Sequence, residues 1–247
     1  MSSIIEVSGV CKSYGGVVAN EDITMSVERG GITGLIGPNG SGKTTLFNSI
    51  VGYHPIDAGS IKFEGDEIST YPVQKIARLG LLRTFQQTRI YGAMNCVENM
   101  LISMPHRKMK FLEAFSKNGE SDYEKADRLL EFVGLYEKRF LMAGSLSFGQ
   151  QKLLEFAMAL MNEPAALLLD EPTAGINPTL INGLIDRLKR ANSEFGITLF
   201  IIEHNMRVIM NMADKIYCLA HGKMLAQGAP EDIQNDPRVI DAYLGGH

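Results

Sequence analysis

The 247-residue sequence predicts an α/β fold with a mostly parallel sheet, an antiparallel β subdomain and a helical subdomain. Three observations lead to this prediction. Apolar and β-branched residues alternate near the N-terminus, which is typical of strands. Apolar residues recur at helical spacing through the middle of the chain. Beyond residue 148, helical segments alternate with short apolar runs, as in a parallel sheet covered by helices.

The first third of the chain predicts antiparallel strands around one strand–loop–helix unit. Ile4 to Val10 and Val17 to Val27 have the alternating pattern of strands. Ile32 to Ile36 is a short apolar run that ends in glycine, and Gly42 to Gly52 follows it with helical spacing. A further β segment, Ser60 to Phe63, ends at a Glu-Gly turn.

The middle of the chain, from about Asn95 to Phe140, predicts a helical subdomain. Two sets of apolar residues have helical spacing: Val97, Met100, Leu101 and Met104, then Ala126, Leu129, Leu130 and Val133. Between these sets lie the basic stretch Pro105 to Lys110 and the polar stretch Ser116 to Gly119. We expect these two stretches to form a surface excursion.

The last hundred residues predict alternating helices and buried strands, then a hairpin and a short helical tail. The predicted segments are helix Phe148 to Met161, strand Ala165 to Leu169, helix Pro178 to Ala191, strand Ile197 to Ile202, hairpin Lys215 to Gln227 and helices within Pro230 to Tyr243. The hairpin turn is expected at His221-Gly222.

Composition restricts the class of protein. Hydrophobic residues make up 45% of the chain and charged residues 21%, as in a folded globular protein. Its 24 Lys and Arg residues against 28 Asp and Glu residues give no positive excess, so nucleic acid is not an expected partner. Cys11, Cys96 and Cys218 fit no metal-ligand spacing and predict thiols in a reducing cytosol. No signal peptide or membrane-spanning run is evident.

A glycine-rich loop follows the predicted strand Ile32 to Ile36 and matches the P-loop pattern. Backbone N–H groups must wrap a polyphosphate closely, which favours glycine, and the next helix directs its positive end at the anion. Lys43 is suited to the β- and γ-phosphates and the Thr44 hydroxyl to Mg²⁺. The alternative is a chance glycine-rich turn, which the flanking strand and helix argue against. The predicted nucleotide-binding residues are Gly37, Pro38, Asn39, Gly40, Ser41, Gly42, Lys43, Thr44 and Thr45.

Two carboxylates follow the predicted strand that ends at Leu169, where open α/β sheets place ligands. Asp170 is suited to hold Mg²⁺ through water, and Glu171 is suited to polarise an attacking water. The alternative is a solvated turn before Pro172. Because a P-loop is present in the same chain, we predict the metal and base site.

Other classes of P-loop protein fit less well. The Asn-Lys-x-Asp guanine motif of GTPases is absent from the sequence, and no arginine-rich lid of a small nucleotide kinase is evident. The segment Leu146 to Gln151, with the sequence Leu-Ser-Phe-Gly-Gln-Gln, closely resembles the signature of ABC (ATP-binding cassette) ATPases. A serine hydroxyl and glycine N–H groups at a helix start are suited to bind an anion. An ordinary helix cap is the alternative.

The resemblance to ABC ATPases covers nearly the whole chain and implies further roles. Gln86 matches the glutamine that senses Mg²⁺ and the γ-phosphate, and His204 matches the switch histidine that positions the γ-phosphate and the water. Tyr14 stands where the family places an aromatic ring against adenine, although stacking alone does not select ATP over GTP. In this family Ser147, Gly149 and Gln150 complete the nucleotide site of the opposite subunit.

Two positions depart from the family pattern. Phe148 replaces the usual first glycine of the signature, although Ser147 and Gly149 are retained. Asn177 stands where many members have aspartate, so that charge is lost. The resemblance therefore does not establish how the two nucleotide sites are coupled in this chain.

Within the family, the chain is most similar to the ATPase subunits of bacterial importers for branched-chain amino acids. The similarity rests on Arg83 to Gln86, the signature, Glu203 to Met206 and the tail Asn235 to Gly245, and an insertion around Phe111 to Ser121 fits one of two paralogous subunits. Urea and lipopolysaccharide transport ATPases share part of this tail, and a non-transport ABC ATPase is a further alternative.

The resemblance implies one ABC ATPase domain over residues 1–247, with the P-loop NTPase core and antiparallel β subdomain in 1–85 and 160–247 and the helical subdomain in about 86–159. The implied cofactors are ATP and Mg²⁺. The implied partners are a second cassette (a copy or a paralogue), transmembrane permease subunits and a periplasmic or surface substrate-binding protein acting through the permease. The implied location is cytoplasmic, on the inner face of the cell membrane.

Overall fold

The computed structural model describes residues 2–84, 90–104 and 121–244. Its strands are β1 (Ser3–Tyr14), β2 (Val17–Glu28), β3 (Ile32–Ile36), β4 (Ala58–Phe63), β5 (Asp66–Glu67), β6 (Leu81–Arg83), β7 (Ala166–Asp170), β8 (Thr198–Ile202), β9 (Lys215–Ala220) and β10 (Lys223–Gly228). Its α-helices are α1 (Lys43–Ile50), α2 (Val73–Arg78), α3 (Cys96–Ile102), α4 (Asp122–Phe132), α5 (Phe148–Leu160), α6 (Pro178–Phe195), α7 (Met206–Met210), α8 (Pro230–Gln234) and α9 (Pro237–Leu244).

The larger sheet has six strands in the order β10-β9-β3-β8-β7-β6. All of its pairings are parallel except the hairpin β9–β10. Every residue of β3, β7 and β8 is buried, as expected of continuous apolar runs inside a covered parallel sheet. Because these three strands are parallel and adjacent, the loops at their carboxyl ends meet at one edge. The predicted mostly parallel sheet is confirmed.

The smaller sheet has four antiparallel strands in the order β2-β1-β4-β5. Residue Ile5 of β1 pairs with Val27 on one side and Phe63 on the other. The inward residues of this sheet join a buried cluster that includes Phe47 and Phe200, whose ring centroids are 4.7 Å apart. The predicted antiparallel β subdomain is confirmed.

The chain divides into two compact units. One contains 1–86, 165–174 and 188–247, and includes both sheets. The other contains 87–164 and 175–187. The sequence-based boundary of the helical part, about 86–159, leaves out Gly175 to Arg187, which this second unit contains. The division into subdomains of one ABC ATPase domain stays a prediction.

The second unit is helical, and its helices begin at well-formed caps. Asn95, Ser121 and Ser147 each accept a hydrogen bond from the backbone N–H three residues on, and the side chain at that position bonds back. These reciprocal capping boxes satisfy N–H groups that have no partner within the helix. Helices α3, α4 and α5 pack through buried apolar side chains such as Met100, Leu130 and Leu154.

Among the described residues, four strands or α-helices are not predicted by the sequence pattern, namely β5, α2, β6 and α7. Three residues, Leu81 to Arg83, are too few to show a period, and pairing with β7 makes them a strand. The predicted hairpin turn is present, with His221 at φ 50° and Gly222 at φ 77°. The expected excursion of 105–120 lies outside the described residues. Within the part of the chain that the structure describes, no helix is long and apolar enough to cross a membrane.

Candidate functional site

The glycine-rich loop connects β3 to α1, at the edge where parallel strands end. Gly37, Gly40 and Gly42 have φ angles of 145°, 77° and 99°, which residues with a Cβ rarely adopt. A Cβ at Gly42 would also lie 2.2 Å from the carbonyl oxygen of Ala19. Glycine is therefore required here for conformation and for space.

The ammonium group of Lys43 lies inside this loop. Its Nζ donates to the carbonyl oxygens of Gly37 (2.8 Å) and Pro38 (2.9 Å). Burial lowers the pKa of Lys43, and the nearby carboxylates of Glu171 and Asp170 oppose that effect. The charge of Lys43 therefore interacts with the carboxylates of Glu171 and Asp170 as well as with the loop that surrounds it.

Asp170 ends β7 and is 2% exposed. Its Oδ2 atom accepts a hydrogen bond from Arg83 Nη2 at 2.5 Å, and another nitrogen of that guanidinium bonds the Oδ1 atom of Asn48. The Oδ1 atom of Asp170 is buried and has no hydrogen-bond partner among the described residues. The carboxylate thus has one oxygen held by arginine and one available to another ligand.

Mg²⁺ takes oxygen ligands and typically combines one or two side chains with phosphate and water oxygens. The second Asp170 oxygen and the hydroxyl of Thr44, an exposed residue, fit such a site. Among the described residues, no group of three or more His, Cys, Asp or Glu side chains is arranged for a metal. A Mg²⁺ site that uses phosphate and water oxygens does not require such a group of three protein ligands. Gln86, the remaining predicted ligand, lies outside the described residues.

Glu171 follows β7 with φ 50°, an uncommon value for a residue with a side chain. Such strained residues concentrate at functional sites. Its N–H donates to the Ile202 carbonyl, and its Oε1 atom lies 2.5 Å from Nε2 of His204. The base and switch residues predicted from sequence are therefore in direct contact.

Buried Glu203 joins the loops that carry these two residues. Its Oε1 atom accepts from the N–H of Thr173 (3.0 Å) and from the Thr173 hydroxyl. Its Oε2 atom accepts from the N–H groups of His204 (3.0 Å) and Asn205 (3.1 Å). The carboxylate thereby fixes the loop after β7 against the loop after β8. Sequence reasoning assigned Glu203 no role, although its position between a buried strand and His204 is a usable signal.

A cleft of about 280 Å³ lies above these groups. Two sides are formed by the phosphate loop and the pair Glu171 and His204, and a third by the β1–β2 hairpin. Its lining residues are Val17, Val18, Ala19, Asn39, Gly40, Ser41, Gly42, Lys43, Thr44, Thr45, Glu171 and His204. The loop, the carboxylate and the histidine predicted from separate parts of the sequence thus share one cavity.

Tyr14 lies beside this cleft, since it pairs across the hairpin with Val17. The residue is 48% exposed, which leaves a surface for stacking. His54 packs edge-on against it with ring centroids 5.5 Å apart, and Lys12 Nζ lies 5.4 Å from the ring centroid. The tyrosine is supported on one side and open on the other.

The signature residues form the start of α5 in the second unit. Ser147 Oγ accepts from the N–H of Gln150 at 3.4 Å, and Gln150 Oε1 accepts from the N–H of Ser147 at 3.1 Å. Ser147, Gly149 and Gln150 line a pocket of about 200 Å³ within this unit. The segment therefore forms an ordinary helix cap, which was the alternative to an anion site. The same residues also line a cavity.

The two departures from the ABC pattern each make local contacts. A Cβ at Gly175 would lie 2.9 Å from the ring of Phe148, so this ring packs on the glycine. Asn177 Oδ1 accepts from the N–H (3.1 Å) and hydroxyl (2.9 Å) of Thr179 and caps α6. Phe148 and Asn177 therefore have structural partners within the second unit.

Family models match two parts of the chain. One, described as ABC transporter, matches residues 20–174, and another, described as branched-chain amino acid ATP-binding cassette transporter, matches residues 223–247. The chain is 40% identical to the high-affinity branched-chain amino acid transport ATP-binding protein BraF of Pseudomonas aeruginosa, over 98% of each chain. It is 35% identical to LivG of Escherichia coli, a protein described in the same words, again over 98% of each.

Solved structures give the same result. A nucleotide-free ATP-binding cassette of an ABC transporter superposes with a TM-score of 0.86 at 34% identity, covering 98% of this chain and 99% of that one. A cassette in its ADP conformation superposes with a TM-score of 0.87 at 33% identity, covering 99% and 100%. The chain therefore belongs to the ABC transporter family, as an ATP-binding cassette that binds and hydrolyses ATP.

Proposed function

We propose that the chain is the ATPase subunit of an importer for branched-chain amino acids. The family model that matches the tail, residues 223–247, is described by this substrate class and carries the proposal. Relatives named for this transport align over nearly the whole chain. These findings favour branched-chain amino acids over urea or lipopolysaccharide, and transport over a non-transport role.

The residues that line or adjoin the cleft are suited to different roles in binding and hydrolysing ATP. Lys43 and the N–H groups of Gly40 to Thr44 would hold the β- and γ-phosphates. Glu171 would polarise the attacking water, and His204, 2.5 Å from it, would orient the carboxylate. Tyr14 would stack on the base.

Thr44 and the second oxygen of Asp170 would hold Mg²⁺. When bound, Mg²⁺ neutralises charge on the phosphate oxygens. Arg83 positions Asp170 by occupying its other oxygen, so that the carboxylate presents one oxygen in one direction.

A second cassette would complete the site. Ser147 and Gly149 of one subunit would meet the γ-phosphate bound by the loop of the other, so that two ATP molecules lie between two subunits. The start of α5 supports this role because Ser147, Gly149 and Gln150 line a cavity. The second cassette is either a copy of this chain or a paralogue. Gln86 is assigned to the same site by resemblance alone.

The remaining partners follow from the transport role. The cassette would bind transmembrane permease subunits at the inner face of the cell membrane. A periplasmic or surface binding protein would deliver the amino acid through the permease. Both partners would transmit substrate occupancy to the ATPase site.

Uptake of labelled leucine in cells that lack this subunit tests the proposal. The wild-type chain should restore uptake, Glu171→Gln should not, and Glu131→Gln, a change at an exposed position of α4, should behave as wild type. Labelled urea serves as the competing substrate. Restoration of urea uptake without leucine uptake would contradict the proposed substrate, whereas restoration by Glu171→Gln would contradict the proposed ATPase role.

A further inference from the structure

The C-terminal helix α9 is bonded directly to the phosphate loop. The N–H of Gly37, the first residue of that loop, donates to the phenolic oxygen of Tyr243 at 2.7 Å. The two residues are 206 positions apart in the chain.

The backbone at Gly37 has little freedom. Its φ is 145°, and a Cβ would lie 2.1 Å from the carbonyl oxygen of Leu219 and 2.7 Å from Ser41 Oγ. Gly37 therefore packs against β9 and the loop itself. A buried N–H needs a partner, and Tyr243 supplies it where the pairing of β3 with β9, which reaches Ile36, has ended.

A tyrosine is well suited to this position. Burial raises the pKa of Tyr243 to about 12, so the phenol is neutral at physiological pH. Its oxygen accepts the hydrogen bond without bringing a negative charge near the loop. A carboxylate acceptor there would repel the phosphates that the loop holds.

The tail is anchored independently of this bond. Val239, one helical turn before Tyr243, is 2% exposed, and Ile233 of α8 is 1% exposed. Arg238 holds Asp236 just before α9, with Nη2–Oδ2 and Nε–Oδ1 distances of 2.6 and 3.1 Å. The buried Val239 side chain holds α9 in place, and the Asp236–Arg238 pair stabilises the start of this helix.

We propose that Tyr243 is a positioning residue that fixes the start of the phosphate loop and thereby raises the affinity for nucleotide. The inference rests on the proposed role of Gly37 to Thr44 in phosphate binding. It gives the C-terminal tail a function in the ATPase site itself. Tyr243 acts through Gly37 and touches no phosphate, so its effect should fall on binding more than on the rate of hydrolysis.

Tyr243→Phe tests this role, since it keeps the ring and removes the acceptor. We expect KM and Kd for ATP to rise about three- to tenfold, the range for one hydrogen bond, with kcat within about twofold of wild type. Hydrogen exchange at the Gly37 amide should accelerate. Tyr123→Phe, which alters a 65% exposed ring on α4, is the matched control and should change none of these values.

Unchanged KM and unchanged Gly37 exchange in Tyr243→Phe would overturn the inference. A variant with lower thermal stability and lower kcat at wild-type KM would overturn it too, because that outcome belongs to a structural anchor. The wild-type chain provides a separate test, since an unprotected Gly37 amide would contradict the contact. Lys43→Ala separates the two proposals. If this variant retains ATP binding, the proposed phosphate site is wrong. If it loses ATP binding while Tyr243→Phe has wild-type KM and Gly37 exchange, only the inference about Tyr243 is overturned.

Discussion

The Nε2 atom of His204 lies 2.5 Å from the Oε1 atom of Glu171, within hydrogen-bonding distance. Each residue follows a buried parallel strand, β8 and β7 respectively, and the strands are neighbours. The contact therefore follows from the sheet order. It orients the carboxylate toward the cleft that the phosphate loop also lines.

Replacing His204 by Ala should reduce kcat by about 10²- to 10⁴-fold, the range for a positioned acid–base group, with a small change in KM. The histidine lies against Glu171 and is expected to orient this carboxylate and the attacking water. Steady-state ATPase assays and equilibrium ATP binding check this prediction. His221→Asn is the control, because asparagine tolerates the positive φ of that hairpin turn. A large loss of ATP affinity with wild-type kcat would contradict the role.

Replacing Glu203 by Gln should lower kcat and reduce stability by about 1–3 kcal/mol, the cost of unsatisfied buried donors. Glutamine has one acceptor oxygen, and its NH₂ group would face N–H donors of His204 and Asn205. Thermal unfolding and ATPase kinetics measure both effects. Glu131→Gln, at an exposed site, should leave both unchanged. Wild-type kcat in the Glu203 variant would show that this carboxylate does not position the pair.

Asn177→Ala should destabilise the second unit by about 1 kcal/mol, because it removes the cap of α6. Asn177→Asp should retain the cap and gain about 0.3–1 kcal/mol from a negative charge at a helix N-terminus. Urea unfolding of both variants measures the difference. Equal stability of the alanine variant and wild type would show that the cap contributes nothing.

Asp57 predicts a pH dependence of stability. Its carboxylate accepts from Lys12 Nζ at 2.9 Å and from the Ser13 N–H at 2.6 Å, and the Lys12 bond is the main reason that its pKa lies below 3.8. Because the folded-state pKa is lowered, the stabilisation is complete above the unfolded-state pKa and is lost as pH falls through the folded value. Melting temperatures should therefore fall more steeply in acid for wild type than for Asp57→Asn. Parallel curves for the two proteins would contradict this prediction.

Much of the architecture could be predicted from sequence because its signals are local. The loop Gly37 to Thr44 lies between a five-residue apolar strand and a helix, and Asp170 follows another such strand. Side-chain period and glycine content are visible along the chain without any tertiary contact.

The partners of the site residues could not be predicted in the same way. Tyr243 and Gly37 are 206 residues apart, and Arg83 lies 87 residues from Asp170. Such pairs depend on strand order, here β6 next to β7 and the tail packed near β3. A three-residue strand such as β6 gives no periodic signal, so the sequence does not reveal that Arg83 faces Asp170.

The central claim is that Glu171 is the base for ATP hydrolysis, and Glu171→Gln tests it most directly. ATPase turnover should fall by about 10²- to 10⁴-fold while ATP binding persists, and a dimer should accumulate when ATP is added. Glutamine keeps the size of the side chain and removes its basicity. Turnover at the wild-type rate in this variant would contradict the account.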